Sequence, residues 1–155
     1  MSPTPNHSES CVVELSATAL ARAIRERQIT AARALDAHLQ RIDRLDPKLG
    51  VIIARNDDAA RKRAAEADAA LADGRLWGPL HGVPFTVKDM FATRAMVTTY
   101  GMPGLTKHRP SHDAVVVERL EAAGAVLMGK TNIPLASYDW QSRHPQLGRS
   151  RNPHD

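Results

Sequence analysis

Cysteine, aromatic residues and long apolar runs are all scarce in this sequence of 155 residues. Its one cysteine, Cys11, cannot form an internal disulfide and cannot build a cysteine-based zinc site alone. No apolar run approaches the roughly 20 residues that a membrane-spanning helix needs. The polar start of the chain lacks the basic and apolar regions of a secretory signal. We therefore expect a cytoplasmic protein that does not bind a membrane.

The overall composition is that of a soluble globular domain. Hydrophobic residues make up 43% and charged residues 25%, which excludes a disordered tail. Aromatic residues contribute only 4%, so the core has to be built from Ala, Val, Leu and Ile. The net charge of +4 permits nucleic-acid binding. The basic residues are mostly interleaved with acidic ones, however, and this favours a solvated surface; the exceptions are Arg143, Arg149 and Arg151.

Hydrophobic periodicity predicts an α/β fold. Helices are expected over residues 17–27, 31–45, 57–73 and 112–123, and strands over 51–54, 83–88 and 125–128. Ser16, Thr30 and Ser111 are predicted to cap three of these helices at their N-termini. Strands and helices alternate from residue 83 onward, which indicates at least partly parallel pairing.

Glycine and proline predict where these elements end. Pro47 and Gly50 are expected to end the second helix, and Gly129 is expected to end the third strand. A short helix is predicted near Pro134. The last ten residues are expected to form a loop.

Two short motifs suggest chemistry that their context disfavours. Gly124–Thr131 (GAVLMGKT) matches the spacing of a phosphate-binding loop, but its four middle residues read as an apolar strand and not as a backbone cradle. His108 and His112 have the spacing of two metal ligands on a helix, but Pro110 lies between them. Neither motif predicts a site.

Lys88 is a stronger candidate for chemistry. It ends the predicted strand 83–88 and is followed by Asp89. Groups at the carboxyl ends of strands in α/β sheets point into ligand crevices, and a desolvated lysine there can act as a base. The alternative is a lysine that leaves the sheet into solvent beside a carboxylate.

Four segments resemble, in order, segments of the amidase signature family. They are Leu15–Ile42 (LSATALARAIRERQITAARALDAHLQRI), Gly78–Asp89 (GPLHGVPFTVKD), Ser111–Asn132 (SHDAVVVERLEAAGAVLMGKTN) and Pro134–Asp155, which contains GRSRNP. Together they cover almost the whole chain after a flexible leader over residues 1–14. GKTN belongs to the family's own pattern, which removes the phosphate-loop interpretation.

The resemblance implies both a fold and a mechanism. The fold is α/β, with helices around a mixed β-sheet, and residues 15–155 form the N-terminal part of an amidase domain whose sheet is incomplete in this chain. Family members hydrolyse amides with a Ser–cis-Ser–Lys triad, whose lysine corresponds to Lys88. Both serines lie in a Gly/Ser-rich stretch, and this chain ends at Asp155, before that stretch. We therefore expect a fragment that is inactive in isolation.

The resemblance also suggests a substrate contact at Ser137, which corresponds to a segment near the family's acyl pocket. The alternative is an ordinary polar residue in a short helix. No metal or cofactor is implied. The expected partner is a small-molecule amide, and a homodimer is an open alternative. Two other functions stay open: the A-type subunit of a glutamine-dependent aminoacyl-tRNA amidotransferase, and a non-catalytic small basic binding protein.

Overall fold

A computed structural model describes residues 12–154. Within them are four α-helices and five strands, interspersed with two 3-10 helices at Pro103–Leu105 and Leu135–Ser137. The elements are α1 (Ala17–Arg25), α2 (Ala31–Leu49), β1 (Ile52–Arg55), α3 (Asp57–Ala72), β2 (Pro84–Lys88), α4 (Val115–Ala122), β3 (Val126–Thr131), β4 (Arg143–His144) and β5 (Gly148–Arg149).

The predicted leader 1–14 and Cys11 fall largely outside the described residues. Of the leader's last three residues, Val12 is completely buried. Glu14 forms an exposed ion pair with Arg41. No helix over residues 12–154 is long and apolar enough to cross a lipid bilayer.

The main sheet has three strands in the order β1–β3–β2. β1 runs antiparallel to β3, with Ile52 opposite Thr131. Val126 N–H donates to the Val83 carbonyl at 2.8 Å, and Asp89 N–H donates to the Thr131 carbonyl at 3.1 Å. Residue numbers rise in the same direction across these two bonds, so β2 and β3 are parallel. The predicted mixed sheet in an α/β fold is confirmed.

One compact unit is formed by residues up to Arg41, Asp57–Phe85 and Leu120–Met128. As the composition predicts, its core is made of small and branched side chains, and Ile24, Leu35 and Ala64 are completely buried. The Asp68 carboxylate accepts the Ala31 N–H at 2.7 Å and the Ala32 N–H at 3.0 Å. A carboxylate at this place satisfies free N–H groups and stabilises the start of α2.

The second compact unit is formed by Ile42–Asn56, Thr86–Arg119 and the residues from Gly129 onward. The Asp46 carboxylate accepts the Val51 N–H at 2.7 Å, which fixes the entry into β1. The β4–β5 hairpin is held by Asn132, whose amide nitrogen lies 3.1 Å from the Gly148 carbonyl and 3.2 Å from the Ser142 carbonyl. Both candidate site residues, Lys88 and Ser137, belong to this unit.

The starts of the helices agree with the prediction in three of four cases. Ser16 accepts the Ala19 N–H at 3.2 Å, and Thr30 accepts the Arg33 N–H at 3.1 Å, so both predicted caps are confirmed. The predicted cap at Ser111 is wrong, because α4 begins only at Val115. The Asp113 carboxylate instead accepts the Arg94 N–H at 2.6 Å, which holds the preceding residues outside the helix.

Three predicted ends are also corrected. α2 continues through Pro47, because Gly50 N–H still donates to the Asp46 carbonyl at 2.8 Å and closes the last turn. β3 continues through Gly129 to Thr131. A Cβ on Gly129 would lie 2.8 Å from the Ala54 carbonyl oxygen, so glycine here permits close strand pairing. The last ten residues are not only loop, because they contain β5.

Candidate functional site

Lys88 is the last residue of β2 and is half-buried. A tight turn follows it, in which Phe91 N–H donates to the Lys88 carbonyl at 3.0 Å. No hydrogen bond or ion pair to the Lys88 ammonium is found within residues 12–154. The structure therefore places Lys88, the candidate base, at the fixed end of a strand. Its amine has no hydrogen-bonding or ionic partner among the described residues.

Asp89, the next residue, is buried and held through both its side chain and its backbone. The Lys130 ammonium lies 3.0 Å from Asp89 Oδ1. Asp89 Oδ2 accepts the Thr99 N–H at 2.9 Å and the Thr99 hydroxyl at 2.5 Å. Its carbonyl accepts the Tyr100 N–H at 3.3 Å. The carboxylate is thus paired with Lys130, and not with the lysine that precedes it in sequence.

The Lys130 side chain is completely buried at the end of β3. Its ammonium donates to the Phe91 carbonyl at 2.8 Å and to the Thr98 hydroxyl at 2.5 Å, in addition to the contact with Asp89. Two hydrogen bonds and one ion pair therefore surround the buried ammonium. Burial lowers the pKa of Lys130, while the hydrogen bond and the charge of Asp89 oppose this shift.

The Thr99 hydroxyl joins this ion pair to His144. Its single proton goes to Asp89, so the His144 ring, 3.0 Å away at Nε2, has to donate to the hydroxyl oxygen. His144 Nδ1 accepts the Gln146 N–H at 3.1 Å and the Leu147 N–H at 3.2 Å. These partners define a neutral ring with its proton on Nε2. Burial lowers the pKa of His144, and the Asp89 charge opposes the shift.

Ser137 lies in a strained loop. It has φ 61°, and Ala136 before it has φ 44°, so two consecutive side-chain-bearing residues adopt the left-handed region. The Ser137 hydroxyl oxygen is buried, and no hydrogen-bond partner for it is found within residues 12–154. Strained backbone and an unpaired buried hydroxyl both cost free energy, and they concentrate at ligand-binding sites.

Lys88 and Ser137 are not in direct hydrogen-bond contact within the part of the chain that the structure describes. Tyr100 links their segments through its backbone. Its N–H donates to the carbonyl of Asp89, and its carbonyl accepts the Ala136 N–H at 3.0 Å. The strand end and the strained loop are therefore fixed to one another by main-chain hydrogen bonds.

The GAVLMGKT segment does not form a phosphate cradle. Val126–Thr131 is a strand, and the lysine of the motif, Lys130, is an internal partner of Asp89. The segment around His108 and His112 is not helical. Among residues 12–154, no group of three or more potential metal-ligating side chains was found.

Sequence reasoning missed the buried network of Asp89, Thr99, Lys130 and His144. One signal was available, because a lysine on an otherwise apolar buried strand requires a buried partner. The identity of the partner was not available, because Thr99 and His144 are 45 residues apart in the chain.

Comparison with known proteins identifies the family to which this chain belongs. The sequence model of the amidase family matches residues 33–155. The A-type subunit of the glutamyl-tRNA(Gln) amidotransferase of Acidothermus cellulolyticus is 38% identical over 146 residues, which are 94% of this chain and 29% of that protein. The putative amidase AmiD of Mycobacterium tuberculosis is 40% identical over 151 residues, 97% of this chain and 31% of that protein.

A solved structure supports the same assignment. The peptide amidase from Stenotrophomonas maltophilia superimposes with a TM-score of 0.85 at 35% identity, over 99% of this chain and 31% of that chain. The chain belongs to the amidase family. It spans about a third of the length of the relatives that it matches.

Proposed function

We propose that this chain is the lysine-bearing N-terminal part of an amidase that hydrolyses carbon–nitrogen bonds in amides by a Ser–cis-Ser–Lys mechanism. Lys88 is the base. The two serines belong to the Gly/Ser-rich segment that follows the N-P-x-D loop in the family, beyond Asp155. We further propose that the protein acts in the cytoplasm.

The observation that carries this proposal is the difference in bonding between the adjacent side chains of Lys88 and Asp89 at the end of β2. The Asp89 carboxylate is bound to Lys130 and Thr99. An ion pair with Asp89 would hold a lysine in its charged form, and Lys88 has no such partner within residues 12–154. A base needs an amine that can reach the reacting groups, and no side chain within residues 12–154 holds the Lys88 amine in another contact.

In the proposed reaction, the Lys88 amine takes a proton from the middle serine, which takes the proton of the nucleophilic serine. The serine oxygen bonds to the amide carbon, and the leaving nitrogen receives the proton back from Lys88 through the middle serine as the carbon–nitrogen bond breaks. Water then attacks the acyl carbon and gives its proton to Lys88 through the same relay. That proton returns to the nucleophilic serine as the acyl–oxygen bond breaks. No metal or cofactor takes part. Ser137, with its unpaired buried hydroxyl, is proposed to contact the substrate.

The experiment compares the isolated chain with a joined protein, in which the chain is fused to the segment that follows the matching region in a relative. Both are incubated with simple carboxamides and with glutamine. We expect turnover by the joined protein only, since the serines are supplied by the added segment. Turnover by the isolated chain that Lys88→Ala abolishes would contradict the proposal. So would a folded joined protein that hydrolyses none of these amides.

A second candidate function is favoured by the similarity to the A-type subunit of an amidotransferase. The chemistry at Lys88 would be the same, with glutamine as the amide. A strong preference of the joined protein for glutamine over simple carboxamides would support this alternative.

A further inference from the structure

The backbone at Lys88 is fixed in part through Asp89, in addition to the pairing of β2 with β3 and the Phe91 N–H bond to the Lys88 carbonyl. The Asp89 N–H and carbonyl are both bonded to neighbouring segments, at 3.1 Å and 3.3 Å. Its carboxylate is bonded to the Lys130 ammonium and, twice, to Thr99. The position of the Lys88 amine therefore depends on how firmly the Asp89 side chain is held.

The Thr99 hydroxyl is the junction of these contacts. It donates to Asp89, and it accepts from the His144 ring and from the Gly101 N–H, each at 3.0 Å. A hydroxyl has one proton and two acceptor sites, so every hydrogen-bonding position of Thr99 is used. Because Thr99 is buried, water cannot replace these bonds when the hydroxyl is removed.

The residues next to Thr99 in the chain and in the structure also connect it to the loop of Ser137 and to the β4–β5 hairpin. Tyr100 follows Thr99 directly, and its carbonyl accepts the N–H of Ala136, the neighbour of Ser137. His144 connects Thr99 to the Gln146 and Leu147 amides of the β4–β5 turn. The Thr99 side chain therefore ties the strand end of Lys88 to the hairpin, and the backbone of the next residue, Tyr100, ties it to the loop of Ser137.

We propose that Thr99 is a positioning residue for Lys88, acting through the Asp89 carboxylate. The proposal rests on the proposed role of Lys88 as the base. It adds that the Thr99 hydroxyl, which is not part of the triad, holds Lys88 in position. Removal of the hydroxyl would leave the ring N–H and the Gly101 N–H without their partner, and it would leave the carboxylate with only the Thr99 N–H and Lys130. The strand end would loosen, and the Lys88 amine would become more accessible.

The test measures the accessibility of each amine in the chain by trace labelling with acetic anhydride and mass spectrometry. The chain has five lysines, so each rate can be followed separately. Lys48, Lys62 and Lys107 are exposed and serve as internal references. Thr99→Val removes the hydroxyl at nearly constant shape, and Thr99→Ser keeps it.

We expect Lys88 in Thr99→Val to be labelled at least about threefold faster than in the native chain, since local opening exposes it. In Thr99→Ser the rate should stay near the native one, and the reference lysines should be unaffected in both. An unchanged rate in Thr99→Val would overturn the proposal. Equal acceleration in Thr99→Val and Thr99→Ser would also overturn it, because the hydroxyl would then not be responsible.

A second variant covers the case in which Thr99→Val does not fold, as judged by circular dichroism. His144→Asn removes the Nε2 donor to the Thr99 hydroxyl, and the asparagine oxygen can still accept the turn amides. We expect faster labelling of Lys88 in it, and an unchanged rate would overturn the proposal. Labelling requires no amide hydrolysis, so this result is independent of whether Lys88 is the catalytic base.

Discussion

The Lys130 ammonium lies 3.0 Å from Asp89 Oδ1, and both side chains are almost completely buried. Asp89 directly follows Lys88 in the sequence, but its partner in the structure is Lys130. This ion pair determines the contacts of the charged side chains at the end of β2. It neutralises the buried carboxylate internally, and no hydrogen bond or ion pair to the Lys88 ammonium is found within residues 12–154.

The first prediction concerns this ion pair. Lys130→Met should destabilise the chain by about 3–5 kcal/mol, because it leaves an uncompensated charge at a buried site. The double variant Lys130→Met/Asp89→Asn should recover part of the loss, since no buried charge then remains. Urea unfolding followed by circular dichroism measures both values. A loss in Lys130→Met below about 1 kcal/mol, the range of exposed ion pairs, would contradict the assignment.

The second prediction concerns pH and follows from the lowered pKa of His144. In the unfolded chain a histidine binds a proton near pH 6.5, whereas in the folded chain His144 binds it only at lower pH. Below about pH 7 the unfolded state therefore holds more protons, and the free energy of unfolding falls as the pH falls. One such group contributes a slope of at most about 1.4 kcal/mol per pH unit.

His144→Asn is the control for that slope, because asparagine does not titrate. The free energies of unfolding of the native chain and of this variant should converge as the pH is lowered from 7.5 towards 5, in a buffer series read by urea unfolding. Parallel curves for the two proteins would show that His144 takes up its proton equally in both states. The lowered pKa of His144 would then be wrong.

The third prediction concerns Gly101, which permits the approach of the Ser137 loop. Gly101 has φ 71°, and a Cβ there would lie 2.2 Å from the Pro134 carbonyl oxygen. Gly148 also has positive φ, but nothing lies within 4 Å of its Cβ position. Gly148→Ala should therefore cost only the backbone strain, about 1 kcal/mol. Gly101→Ala should cost clearly more, because main-chain atoms have to move.

Thermal unfolding of the two alanine variants makes this comparison. Gly104→Ala is the neutral reference, since its Cβ position is open and its φ is not positive. If Gly101→Ala melts at the same temperature as Gly148→Ala, the contact between Gly101 and the loop before Ser137 does not contribute as proposed.

Much of the fold was predictable because its signals are local. Ser16 and Thr30 cap helices through hydrogen bonds to residues three positions away. Those patterns can be read in a single segment. The start of α4 was predicted wrongly because the interaction that decides it is not local. Asp113 accepts a hydrogen bond from Arg94, which is distant in sequence.

The site was predictable only in part for the same reason. Lys88 is predicted as the base from its own segment and from the resemblance to the amidase signature family, and this role stays a prediction. The buried network next to Lys88 could not be predicted in the same way, because Thr99 and His144 are brought into contact only by the tertiary structure. The lysine on an otherwise apolar strand indicates a buried partner for Lys130, but the sequence does not identify that partner as Asp89.

The most direct test of the base role of Lys88 uses the joined protein with two substitutions. Lys88→Ala removes the amine, and Lys88→Arg keeps the charge but cannot release a proton. Lys62→Arg, at an exposed helix position, is the matched control. Because Lys88 has no bonded partner within residues 12–154, the melting temperature should change little in either Lys88 variant. Both should lose at least about a thousandfold in kcat/KM on amides, and the control should not. Near-native turnover by Lys88→Arg would contradict the role of Lys88 as the base.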